Sequence, residues 1–202
     1  MRNALVLFDS NLSAARNLED LYAFLSSRIV APISFDDLLR SQVVYAVSAF
    51  DKLVHDLVRI GMVQIFSGNR PPTSRYLSEL ISIELHGSLI SATVPPKEYV
   101  FEQAIFRKLK LVSYQDPTKV ADGLSYIWDE SHKWQQIAMA MGVTENAART
   151  TLKLIADRRN AIVHEADTDP TTNAKLPIDQ VECRRITDFL RSCGVAIARL
   201  VT

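Results

Sequence analysis

The stretch Arg158-Arg159-Asn160-Ala161-Ile162-Val163-His164-Glu165-Ala166-Asp167 gathers two guanidiniums, a carboxamide, an imidazole and two carboxylates. An imidazole, with an ordinary pKa of about 6.5, suits both taking and giving a proton near neutrality. A guanidinium presents a planar fork of donors that grips an oxyanion at two points. The stretch ends a predicted helix whose apolar stripe runs through Ala148, Leu152, Ile155 and Ile162. At about 100° per residue, Arg159 falls in the middle of that stripe, where arginine is rarely found without a partner. Asn160 and His164 are four apart and share a neighbouring face. Arg159 and His164, five apart, stand about 140° from each other, so a regular helix does not set them side by side.

A second pair, Asp51 and His55, is spaced for one helix face. It reads as metal ligands, as a second acid/base pair or, preferred here, as a support in which Asp51 orients or neutralises Arg159 across the bundle. Glu165 and Asp167 are expected to position the helix end rather than to hold magnesium. Simpler readings stand beside these: His164 closing the last turn of its helix, and Arg159 with Asp51 forming a buried ion pair and nothing more. A rival motif spans residues 137–149, where a short helix, Gly142 and a Thr144-capped second helix resemble a helix-turn-helix. Thr144, Glu145, Asn146, Arg149, Thr150 and Lys153 would then face a DNA major groove. Any pair of helices joined by a glycine turn gives the same pattern, and Glu145 brings the wrong charge.

The elements that carry these residues read as helices throughout, without sustained period-two alternation. Helical spacing covers residues 11–30. Ser34, three residues before Asp37, has the form of a capping box that opens a helix of eight or nine turns. That helix has a stripe through Leu39, Val43, Ala46, Val47, Phe50, Leu53, Val54, Leu57 and Val58. Residues 75–92 suggest a helix diluted by Gly87 and serines. Pro95 and Pro96 open another, which runs to Val112, and Asp116-Pro117 starts a short one towards Trp128. Residues 131–141 and 144–165 follow, then a polar loop over 167–177 and a last helix over 179–201. The expected architecture is a single all-α domain over residues 1–202, with a core from about 34–67 and 130–200 and a helical elaboration over 75–128.

The composition sets bounds. The 202 residues carry 23 Lys and Arg against 23 Asp and Glu, so the chain does not hold long duplex DNA by bulk charge, although a local basic groove remains open to it. Cys183 and Cys193 lie on one predicted helix, about 15 Å apart along its axis, too far for a disulfide. With four histidines they make no convincing zinc knuckle. The Met1-Arg2-Asn3 start and the short apolar stretch broken by Asp9 do not make a signal peptide, and no apolar run reaches the length of a membrane span. A cytoplasmic protein without a membrane anchor is expected.

Arg159-Asn160-x-x-x-His164 resembles the Arg-x(4–6)-His signature of HEPN domains, and the string Arg-Asn-Ala-Ile-Val-His-Glu-Ala-Asp is similar to the RiboL-PSP group of that superfamily. The earlier run Arg40-Ser41-x5-Val47-Ser48-Ala49-Phe50-Asp51-x3-His55 is similar to the first core helix of the family. The resemblance covers about residues 34–67 and 130–200. It implies a helical bundle that forms a homodimer and brings two Arg-Asn-x3-His motifs into a shared cleft. Many such domains cleave RNA without a metal, often as toxins or in defence against phage; others only bind nucleic acid or proteins. Carried over by residue, Arg159 and His164 form the catalytic pair and Asn160 supports them.

These residue types suit that chemistry. RNA supplies its own nucleophile, the 2′-hydroxyl, so only proton transfer and charge stabilisation are needed, and the product ends in a 2′,3′-cyclic phosphate. His164 moves the proton, Arg159 holds the scissile phosphate and its developing charge, and Asn160 orients the phosphate or the imidazole. A dimer brings a second histidine, so that one serves as base and the other as acid. No cofactor and no metal enters this scheme. Arg158, Arg184 and Arg185 form either a solvated face or a rim that guides RNA. An antitoxin or other regulatory protein is the further partner such a role implies. The alternatives are a non-catalytic nucleic-acid-binding or protein-interaction module, and a helix-turn-helix DNA-binding regulator.

Overall fold

A computed structural model of the protein describes residues 1–30 and 32–202. Nine α-helices follow one another among the described residues: α1 (Arg2–Arg28), α2 (Asp36–Phe66), α3 (Ser74–Leu77), α4 (Ile83–Ser91), α5 (Lys97–Leu109), α6 (Pro117–Leu124), α7 (Lys133–Met141), α8 (Glu145–His164) and α9 (Gln180–Leu200). The all-α expectation holds.

The long helix α2 is the axis of the bundle and packs against α1, α5, α6, α8 and α9. Its expected stripe from Leu39 to Val58 is buried throughout. Asp36 and Asp37 place negative charge in its first turn, where the helix dipole favours it. The capping box does not form. Phe35 occupies the cap position, and Ser34 Oγ accepts the Asp36 N–H at 3.1 Å, a tight turn that enters the helix one residue off the expected spacing.

Phe8 and Leu12 of α1, Phe50 and Leu53 of α2, and Leu190 and Ile197 of α9 are fully buried together in one hydrophobic core. Gly194 permits the close approach of α9: a Cβ there would stand 2.5 Å from a ring carbon of Phe8 and 2.8 Å from a methyl of Leu53. Helix α1 starts at Arg2 rather than near Asn11. Ala4 and Phe8 extend the stripe of Leu12 and Ala15, and Asp9 lies off that stripe, facing Arg191 at 3.5 Å.

The helix expected over 75–92 is split into α3 and α4, capped by the side chains of Thr73 and Ser82, and neither piece buries a residue. By contrast, Phe101, Ile105 and Leu109 of α5, with Val120 and Leu124 of α6, belong to the same core as α2. Pro96 takes the cap position of α5, and Pro117 takes the first turn of α6 behind Asp116. Gly142 stops α7 at φ 72°, and Thr144 Oγ1 caps α8 by accepting the Ala147 N–H at 3.2 Å. Asp179 caps α9, on which Cys183 and Cys193 are both buried and free.

Candidate active site at the end of α8

Helix α8 buries Ala148, Leu152, Ile155 and Ala156. Its last two turns, which carry the Arg-Asn-x3-His residues, keep Ile162 half-buried against the core and leave Asn160 and His164 exposed. Where the helix ends, the Ala161 carbonyl accepts N–H donors from both Glu165, at 3.0 Å, and Asp167, at 2.9 Å. The chain turns back through two consecutive left-handed residues, Ala166 at φ 54° and Asp167 at φ 55°. For residues bearing a Cβ this conformation costs about 1–2 kcal/mol each, so the surroundings must hold it.

Asp167 supplies the hold. Its side chain is fully buried, and Oδ2 accepts Arg40 Nε–H at 2.6 Å. Oδ1 faces Arg158 Nη1 at 3.0 Å, an ion pair without hydrogen-bond alignment. Arg40 also donates to the Leu176 carbonyl at 2.7 Å and lies 3.2 Å from Asp37. Arg158 donates to the Pro177 carbonyl at 2.8 Å, with its Nε 3.8 Å from Glu182. The start of α2, the end of α8, the loop and the start of α9 thus meet around one carboxylate. Arg158 is committed to this clamp rather than to a solvated rim.

The neighbouring Arg159 points elsewhere. It is half-buried, its Nη1 donates to Asn160 Oδ1 at 3.1 Å, and its Nε is buried without a partner. Asn160, His164 and Glu165 are exposed. Among the described residues no hydrogen bond or ion pair joins Arg159 to His164, in keeping with their angular separation on the helix.

The expected contact between Asp51 and Arg159 is not formed in the chain. Asp51 accepts the Tyr114 N–H and stands 3.7 Å from His55 Nε2. The reason is distance: at 1.5 Å per residue Asp51 is about 16 Å along α2 from Arg40 and the end of α8. The His55 ring packs edge-on against Tyr114, with centroids 4.6 Å apart. Burial, then Tyr126 and Asp51, push the Tyr114 hydroxyl up to about 12. Asp51 and His55 line a separate cavity of about 300 Å³ with Lys52, Asp56, Arg59 and Phe106.

A family model described as RiboL-PSP-HEPN matches residues 9–202. The chain belongs to the RiboL-PSP-HEPN family. No curated protein and no solved structure matches it.

In this RiboL-PSP-HEPN chain the two remaining arginines differ. Arg184 pairs with the buried Glu19 of α1. Arg185 is exposed and lines a shallow groove between α8 and α9 with Leu154, Arg158 and Glu182. On the rival helix-turn-helix face, Asn146, Arg149, Thr150 and Lys153 line a cleft whose other wall is Asp116, Pro117 and Thr118 at the start of α6. Thr144, Glu145, Asn146, Arg149, Thr150 and Lys153 are all exposed.

Arg40 is the residue of the site that the motif does not contain. A signal was present: at about 100° per residue Arg40 lies on the same line along α2 as the buried Val58. This is an arginine on an apolar stripe, the same anomaly that singles out Arg159.

Proposed function

We propose that this protein is a metal-independent endoribonuclease in which Arg159 and His164, supported by Asn160, promote attack of an RNA 2′-hydroxyl on the adjacent phosphodiester. The observation that carries the reading is the placement of a half-buried Arg159 and an exposed Asn160 and His164 on the last two turns of α8, within reach of solvent, in a chain of the RiboL-PSP-HEPN family. Arg159 grips the phosphate and stabilises the charge that develops on it. His164 exchanges protons with the 2′-oxygen and the departing 5′-oxygen. Because the two side chains diverge on one helix, a single strand is served best when Arg159 of one chain and His164 of a second flank the same phosphate. A homodimer of the single domain over residues 1–202 supplies that arrangement, with one imidazole as base and the other as acid.

Two free cysteines suit a reducing cytoplasmic setting. No helix among the described residues is long and apolar enough to cross a membrane. With zero net charge, RNA affinity depends on local charge at the seam between two copies, to which Arg159 and the exposed Arg185 would contribute. A toxin or antiviral effector held in check by an antitoxin or other regulatory protein is the biological role that matches a nuclease of this kind.

The separation of Arg159 from His164 within one chain favours the second reading, a non-catalytic RNA- or protein-binding module. The two readings part on one experiment. Purified protein is incubated with mixed-sequence single-stranded RNA in excess EDTA, and the product ends are analysed. Cleavage to 2′,3′-cyclic phosphate ends supports the nuclease; intact RNA, or cleavage only when a divalent ion is restored, overturns it.

A further inference from the structure

A proton-transfer group must sit within a fraction of an ångström of its reacting atom, and misplacement by about 1 Å costs on the order of 10²-fold in rate. His164 occupies the final position of α8, a helix whose buried residues end at Ala156. Apolar packing holds the helix as far as Ile162, half-buried against the core, and the exposed imidazole lies beyond it. Two left-handed residues follow, and neither is glycine. The backbone bonds of the loop beyond them are local to it and to the end of α8: Asp167 N–H to Ala161, Thr168 N–H to Glu165, Asp169 N–H to Ala174, Asn173 N–H to Asp169, and Leu176 N–H to the Asp167 carbonyl at 2.8 Å.

The side chain that ties this end to the rigid part of the molecule comes from the opposite end of the sequence. Arg40 is on the second turn of α2, the helix most surrounded by others, and is 6% exposed. Its guanidinium spans the gap with Nε on Asp167 and Nη2 on the Leu176 carbonyl, so one planar group fixes both strands of the loop. Nη1 faces Asp37, one turn earlier on α2. A lysine, with a single charged nitrogen, cannot reproduce that three-way geometry.

We propose that Arg40 is a positioning residue for His164, acting through Asp167 to hold the end of α8 against α2. Its effect on RNA cleavage rests on the nuclease reading; its effect on the helix end does not.

The test compares the full-length protein with Arg40→Met, which keeps the length of the side chain and removes its donors, and Arg40→Lys, which keeps the charge alone. Amide hydrogen exchange is followed at Asp167 and Leu176, the His164 ring signal by NMR, and kcat and KM with mixed-sequence single-stranded RNA in EDTA. Arg40→Met is expected to speed exchange at both amides by about tenfold or more through local opening, with the α2 and α9 core amides unchanged, and to shift the His164 ring signal. It is expected to lower kcat by about 10–100-fold with little change in KM. Arg40→Lys falls between Arg40→Met and the wild type, and it carries the comparison if Arg40→Met does not fold.

A scaffolding role alone would lower the unfolding midpoint while leaving the His164 signal and the kcat of the folded protein untouched, and that result overturns the proposal. Wild-type exchange at Asp167 and Leu176 in both variants overturns it as well. If the wild type leaves RNA uncut while the exchange and ring signals respond, the nuclease reading fails and the positioning role stands.

Discussion

Asp167 Oδ2 and Arg40 Nε meet at 2.6 Å across 127 positions of sequence. One carboxylate, fully buried, thereby neutralises Arg40 and Arg158 at once. Removing a single partner from a buried cluster of this kind leaves uncompensated charge, a loss of about 3–5 kcal/mol for a fully buried pair. Asp167→Ala is expected towards the low end of that range, because Arg158 and Arg40 keep contacts with Glu182 and Asp37. Asp167→Asn, which retains an acceptor for Arg40, is expected to lose less. Urea unfolding followed by circular dichroism measures both; a midpoint unchanged in Asp167→Ala would show that the cluster adds nothing to stability.

Ala166 precedes that carboxylate at φ 54°. Glycine enters the left-handed region without steric cost but loses more entropy on folding. The two effects set Ala166→Gly between neutral and about 1 kcal/mol stabilising, whereas Ala166→Val, β-branched, destabilises. Thermal unfolding of the two variants is the check, and a destabilised glycine variant would remove the strain argument.

Burial pushes the Cys193 thiol up to about 12, and burial together with Glu182 and Glu19 does the same to Cys183. Thiolate is the reactive form, so neither cysteine is expected to react with a chromogenic disulfide reagent at neutral pH while the chain is folded. Both should titrate once it is denatured. Rapid labelling of the native protein would contradict the buried placement of α9.

Much of the fold was legible because apolar spacing and punctuation agree. The stripe from Leu39 to Val58, Gly142 at the end of α7, the cap at Thr144 and the start of the last helix at Asp179 needed only local chemistry. The sequence misled where distant partners decide. Asp9 resembles a break but rides on the outer face of α1 towards Arg191. Residues 79–82 interrupt a periodic stretch that buries nothing. The motif itself was readable as an arginine out of place, but the assignment of partners was not. Periodicity puts Asp51 and Arg159 on inward faces without saying how far along their helices the two lie, and the structure pairs Asp51 with Tyr114 and Arg159 with Asn160. Arg40 was legible as the start of the family-like run on α2 but not as a site residue, because its partner lies in a loop with no periodicity to read.

Among the described residues Arg159 forms no ion pair, its hydrogen bond goes to the exposed Asn160, and its Nε is buried without a partner, so Arg159→Ala is expected to cost under about 1 kcal/mol of stability. His164 is exposed, and His164→Ala is expected to leave the unfolding midpoint unchanged. The most direct test of the account is RNA cleavage in excess EDTA by the wild type, His164→Ala and Arg159→Ala, each shown to be folded. A positioned acid or base contributes about 10²–10⁴-fold, so the account predicts cyclic-phosphate products from the wild type and a loss of at least about 10²-fold in each variant. Undiminished cleavage by His164→Ala would contradict it.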